Sequence, residues 1–199
     1  FDLSSESIGE RALKNKCLSY LTKLGEYELA YQQFNNAECM TDQFGAFQSL
    51  LDSSSSYRSE VIERFFNQHE ADVQVIDKWF SAISASPNSS VGDIKNLMAH
   101  DLFKMTNPNR VRAVVGAFSR NSLQFHCEEG YQLLTGVIVK LDKMNPQIAA
   151  RFAGIFNNWK RFTNKYSSLQ KNELTKIISI KGLSDDVHEI VHSALEEKN

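Results

Sequence analysis

The feature that most constrains this chain is that its apolar residues recur at helical spacing almost from end to end. Val61, Ile62, Phe65 and Phe66 fall three and four apart, as do Ile76, Trp79, Phe80 and Ile83. The same spacing joins Leu133, Leu134, Val137, Ile138 and Leu141, and again Ile148, Phe152, Ile155, Phe156 and Trp159. Residues so spaced line one side of an α-helix, whereas a half-buried strand needs alternation at every second residue. At the start, Ile8, Ala12, Leu13, Cys17, Tyr20, Leu21 and Leu24 predict a first helix, with Ser7 and Glu10 as a capping box at its N-terminus. Breaks fall at Gly25, Ser53 to Ser56, "SPNSS", "NPN", Gly130, "MNP" and Gly182. The intervening segments of about 10 to 20 residues predict roughly ten helices joined by short loops.

Two prolines sharpen this. "NPNRVR" begins at Asn107 and "NPQIAAR" at Asn145, so an Asn-Pro pair recurs after 38 residues, each time opening an apolar helical pattern. Asn supplies an N-cap acceptor, and Pro suits the first helical position because its missing N–H has no intrahelical partner there. A helix-pair period near 40 residues lies in the range of HEAT and armadillo solenoids, whose units bury their apolar faces by stacking on neighbours. Chance reuse of a good helix start is the competing explanation. The expectation is an all-α superhelical array of antiparallel helix pairs, a HEAT/armadillo-like α-solenoid. With 199 residues and 42% hydrophobic content, a single helical domain over 1–199 can bury a sizeable core.

Charge and cysteine usage narrow the partners. A formal net charge of −2 gives no reason to expect nucleic acid or a membrane surface. No apolar run approaches the roughly 18 residues needed to span a bilayer, and "FDLSSESIGERALKNK" lacks the basic flank and apolar segment of a signal peptide. Cys17, Cys39 and Cys127 are odd in number and widely separated, the pattern of free thiols. A cytoplasmic location follows as an expectation. The abrupt start without an initiator Met marks the chain, on this reading, as a fragment.

The residues that could carry chemistry are few. "HEIVH", His188 to His192, has the spacing at which two imidazoles one turn apart grip a zinc while the Glu activates water. Three protein ligands are needed around a catalytic zinc, and this histidine pair supplies two. His188, Glu189 and His192 are therefore read as a coincidental match, turned away from a core stripe of Leu183, Val187, Ile190, Val191 and Ala194. Cys127 lies beside His126 but has no third group to orient a nucleophile and base, so a structural Cys is expected. The basic, aromatic stretch "NNWKRFTNKY" reads as a solvated helix end with Trp159 and Phe162 buried.

Several blocks carry a family resemblance: "GERALKNKCLSYL" (Gly9 to Leu21), "NNAECMTDQFGAFQSL" (Asn35 to Leu50), "VIDKWF" (Val75 to Phe80), "TNPNRVRAVVGAF" (Thr106 to Phe118), "QFHCEEGY" (Gln124 to Tyr131) and "NPQIAARF" (Asn145 to Phe152). In this order they resemble the C-terminal helical domain of bacterial aminopeptidase N, the alanyl aminopeptidase family of gluzincin zinc metallopeptidases. The resemblance implies a superhelical stack that closes over a zinc-bearing catalytic domain and walls its substrate channel. It also implies that zinc and the catalytic His-Glu-x-x-His belong to the parent enzyme's catalytic domain, absent from this chain, which alone should be inactive and bind no cofactor. The implied partners are the remainder of the aminopeptidase chain and the peptide substrate.

By position in the family's blocks, Arg112 and Arg151 resemble the arginines that line the channel. Both follow an Asn-Pro start, where a cation opposes the helix macrodipole by roughly 0.3–1 kcal/mol, yet free N–H groups and a guanidinium can converge on a peptide carboxylate. Salt bridges to neighbouring helices are the competing role for both. Asn109 and Arg110 fit capping or packing. One departure from the family stands out: its Gly-x-Gly-Tyr turn is shortened here to "CEEGY", which leaves Glu128 and Glu129 without an assigned role. The rival to the aminopeptidase reading is a free-standing HEAT-like protein-interaction module.

Overall fold

The computed structural model describes residues 2–196 of the chain. Among them are eleven α-helices: α1 (Ser5–Lys23), α2 (Tyr27–Asn36), α3 (Met40–Leu51), α4 (Arg58–His69), α5 (Val73–Ala85), α6 (Val91–Ala99), α7 (Pro108–Val111), α8 (Glu128–Asp142), α9 (Pro146–Ala153), α10 (Asn164–Ile178) and α11 (Asp185–Leu195). A π-helix, Arg112–Gly116, continues α7, and a 3-10 helix, Gly154–Arg161, continues α9. No strand occurs among the described residues. The chain divides into two compact units, Phe1–Asn88 and Ser89–Asn199.

In the first unit each helix packs on helices one or two places away in the chain: α1 chiefly on α3, α2 on α3, and α4 on α3 and α5. That is the contact pattern of a helical stack. Its core is aromatic: Phe47 and Phe65 stack at 4.6 Å and both are fully buried, while Ile76, Trp79, Phe80 and Ile83 bury one side of α5 as their spacing predicts. Trp79 Nε1 donates to the Ile62 carbonyl at 3.0 Å, which satisfies the indole's polar edge. Gly25 makes the α1–α2 turn with φ of 103°, a conformation costly for any residue with a Cβ.

The first helix differs from expectation at both its start and its face. It begins at Ser5, capped by Ser4, whose Oγ accepts from the Ser7 N–H at 3.3 Å. Asp2 displaces the expected Ser7–Glu10 box by accepting from the Ser7 hydroxyl at 2.6 Å and the Ser4 N–H at 2.8 Å. These bonds hold its carboxyl down at about 2. The buried side of α1 is Leu18 and Thr22, while Leu13, Tyr20 and Leu24 of the expected core stripe are 67%, 58% and 81% exposed. The cause is polar. Asp42 of α3 is buried and accepts from Lys14 and from Asn15 Nδ2, and Gln33 Nε2 donates to Asn15 Oδ1 at 2.7 Å and to the Asp42 carbonyl at 2.9 Å. A buried carboxylate left without donors is expensive, so this network turns the polar side of α1 inward.

In the second unit α8 packs on α9 and α10, and α9 packs on α11. Leu134, Val137, Ile138 and Leu141 of α8 are buried, as are Ile148, Phe152, Phe156 and Trp159 along α9 and the 3-10 turn. Gly182, with φ of 78°, breaks the chain before α11. Gly130, in contrast, is not a break: it lies in the first turn of α8. A Cβ there would stand 2.2 Å from the Phe125 carbonyl oxygen, so the residue serves close approach.

Candidate functional site

Both Asn-Pro pairs open helices. Asn107 Oδ1 accepts from the N–H groups of Asn109 at 3.0 Å and Arg110 at 3.3 Å, with Pro108 in the first helical position. Asn145 Oδ1 accepts from the Ile148 N–H at 3.2 Å, with Pro146 placed likewise. These side chains satisfy N–H groups that a helix start would otherwise offer to a ligand. The Asn side chains thereby take up part of the free backbone donors expected to receive an anion at both starts.

Arg112 opens the π-helix, whose i to i+5 bond runs from the Ala117 N–H to the Arg112 carbonyl. Its side chain is exposed, and Nη1 donates to Asn109 Oδ1 at 3.3 Å. Arg151 is also exposed but lies in the last turn of α9, not in its first turns, so the local helix end does not oppose its charge. Neither arginine forms an ion pair with a described residue. A Cβ built on Gly116 would sit 3.8 Å from Arg112 Cβ and 3.7 Å from the Phe152 ring, so Phe152, next to Arg151 in sequence, approaches the π-helix one turn after Arg112. Arg110 is 5% exposed, in keeping with a packing role.

The "HEIVH" residues lie on α11 with Val187 and Val191 buried beneath them and His188, Glu189 and His192 exposed. The two imidazoles stack with centroids 5.7 Å apart, and His192 Nδ1 lies 3.4 Å from Glu196 Oε1. No group of three or more His, Cys, Asp or Glu side chains suited to a metal occurs among the described residues. This donor set does not fit a catalytic zinc, which needs three protein ligands and an open position.

Cys127 caps α8: its Sγ accepts from the Gly130 N–H at 3.3 Å. His126 Nδ1 instead meets the Tyr131 hydroxyl at 2.9 Å, and Gln170 Nε2 donates to that hydroxyl at 3.2 Å. Burial lowers the His126 pKa below its ordinary value and raises that of Tyr131 to about 12, so the pair is neutral near pH 7. The shortened "CEEGY" block is thus a helix start packed over a neutral network. A cleft of about 910 Å³ lies between residues 95–106 and 132–144, and its lining includes Met98, Phe103 and Leu133 with Lys95, Lys104, Lys140 and Lys143. It includes neither arginine, and nothing in the local sequence pattern marked it, because its four lysines come from segments far apart in the chain.

Residues 1–196 match the family model described as Domain of unknown function (DUF3458_C) ARM repeats. The chain is 33% identical over 202 residues to aminopeptidase N of Haemophilus influenzae and 31% identical over 203 residues to aminopeptidase N of Escherichia coli. Each alignment covers 98% of this chain and 23% of the relative, so the chain spans less than a quarter of the length of these relatives. A crystal structure of Legionella pneumophila aminopeptidase A, in complex with aspartic acid, matches with a TM-score of 0.89 at 30% identity, over 98% of this chain and 24% of that one.

Proposed function

The chain belongs to the DUF3458_C family of ARM-repeat domains, and from that premise we propose that it is the non-catalytic C-terminal domain of a zinc-dependent aminopeptidase N. In this reading residues 1–199 act as one cytoplasmic domain that covers the catalytic domain and walls the substrate channel of an enzyme removing N-terminal residues from peptides. The observation that carries the proposal is the alignment of 98% of this chain with a stretch amounting to 23% of aminopeptidase N. The zinc and its ligands belong, in this reading, to the rest of the parent, since no third donor joins the exposed His188–His192 pair among the described residues.

Arg112 and Arg151 supply this wall with charge. A peptide entering by its N-terminus trails a carboxylate, and a guanidinium offers that group two parallel donors in fixed geometry. Both side chains are exposed and free of ion pairs among the described residues, which supports a role toward a ligand over a role in bracing helices.

Metal analysis tests the division of labour. The chain alone, purified without a polyhistidine tag and dialysed, is expected to hold no stoichiometric zinc and to leave alanyl chromogenic substrates intact, while the full-length enzyme binds zinc and cleaves them. One tightly bound zinc per isolated chain, lost on His188→Ala, overturns the assignment.

A further inference from the structure

The outer face of α1 is apolar. Leu13, Cys17, Tyr20 and Leu24 are spaced by four, three and four residues, so they form one stripe down the helix, and all four are exposed. The stripe lies on the side opposite Leu18 and Thr22, which the helix buries against its own unit. A helix whose larger apolar residues face out while Asn15 and Lys14 serve a buried carboxylate is built to pack on two sides. Gly9 stands one turn before Leu13 on the same stripe. No atom lies within 4 Å of a Cβ built there, and its backbone is ordinarily helical. No contact among the described residues accounts for a glycine at that point of a helix interior, where it costs about 1 kcal/mol relative to Ala. Close approach of another backbone does account for it.

We infer that the Gly9–Leu13–Cys17–Tyr20–Leu24 stripe is the seat of a helix from the remainder of the aminopeptidase chain, an inference that rests on the function proposed above. The relatives extend over more than three times the length matched here, so the parent has ample chain to cover this face. Three large side chains and a cysteine at helix-packing spacing, with a glycine at one end, fit an apolar helix laid along α1 rather than a charged ligand or an extended peptide.

Cys17 reports the answer without any substitution. In the native full-length enzyme its thiol is expected to react with a maleimide about 100-fold or more slowly than in denaturant, because the reagent then waits for local opening. Mass spectrometry of the labelled peptide reads the rate. Labelling within a few-fold of the denatured rate, in an enzyme that still releases N-terminal residues, overturns the docking surface and leaves the aminopeptidase reading intact. Protection that vanishes on dilution assigns the face to a second copy and overturns the inference as well. A reading frame that encodes no peptidase removes both. Leu24→Cys in a Cys17→Ser background repeats the measurement at the far end of the stripe, where the same protection is expected.

Discussion

Two glycines in α8 should respond to alanine with opposite signs. At Gly130 the added carbon would stand 2.2 Å from the Phe125 carbonyl oxygen and 3.1 Å from the carbonyl carbon. The first distance is short of ordinary contact by about 1 Å, and the obstructing atoms are backbone, which no rotamer change can move aside. That carbonyl accepts from the Cys127 N–H at 2.8 Å, and Phe125 is 2% exposed, with its ring 5.7 Å from Phe118 and 5.4 Å from Tyr131. Relief therefore requires shifting the helix start or the aromatic core, and overpacking of this kind costs about 1–3 kcal/mol. Gly136 lies further along the same helix, is exposed, and an added methyl there would meet nothing within 4 Å. There, Ala should stabilise by about 0.5–1 kcal/mol through helix propensity alone. For a chain of this size a kilocalorie corresponds to roughly 2–4 °C in Tm. Thermal unfolding followed by circular dichroism should place Gly130→Ala below the parent and Gly136→Ala above it. A Gly130→Ala protein as stable as the parent would refute the close approach deduced at the α8 start.

The Asn caps predict that Asn107→Ala and Asn145→Ala each lose about 0.5–2 kcal/mol in chemical denaturation, while Asn→Asp at either position loses less. Burial holds the imidazoles of His69 and His126 below their ordinary value of 6.5. The unfolded chain then binds more protons as pH falls, so their contribution is complete above the unfolded pKa and is lost as pH drops through the folded values. Tm should accordingly decline between about pH 7.5 and 5.5, and a flat profile over that range would contradict the burial of both rings. Trp79 and Trp159 are 5% and 8% exposed, so fluorescence emission should be blue-shifted and move red in a single step with loss of helical ellipticity.

Helix content was legible because period-3.6 patterning in α5, α8 and α9 coincides with single-sided burial. In α1 the same spacing was misleading: apolar periodicity identifies a helix but not which side meets the core, and here the Asp42 network sets that choice from α3. The start of α8 was obscured by chemistry of another kind. A thiol is a poor sequence signal for an N-cap, and Gly130 resembles a loop residue until the Phe125 carbonyl beside it is seen. The π-helix leaves no trace in "RAVVG", since a single added residue per turn does not alter which positions are apolar. The candidate arginines were legible only through their blocks. Their exposure and the lack of ion pairs among the described residues are set by the packing around them and not by local pattern.

The channel role is tested most directly by comparing two substrate types on the full-length enzyme. In the proposed function a short peptide presents its carboxylate to Arg112 and Arg151, whereas an amide-capped aminoacyl chromogen does not. Losing a charge-assisted hydrogen bond in a partly desolvated site costs about 1.5–3 kcal/mol, so Arg112→Ala and Arg151→Ala should each lower kcat/KM for dipeptides or tripeptides roughly 10- to 100-fold. The chromogen should lose far less, and Tm should be unchanged because neither side chain braces a neighbouring helix through an ion pair. Equal losses on both substrates, accompanied by a lower Tm, would make the two arginines structural and contradict the channel wall.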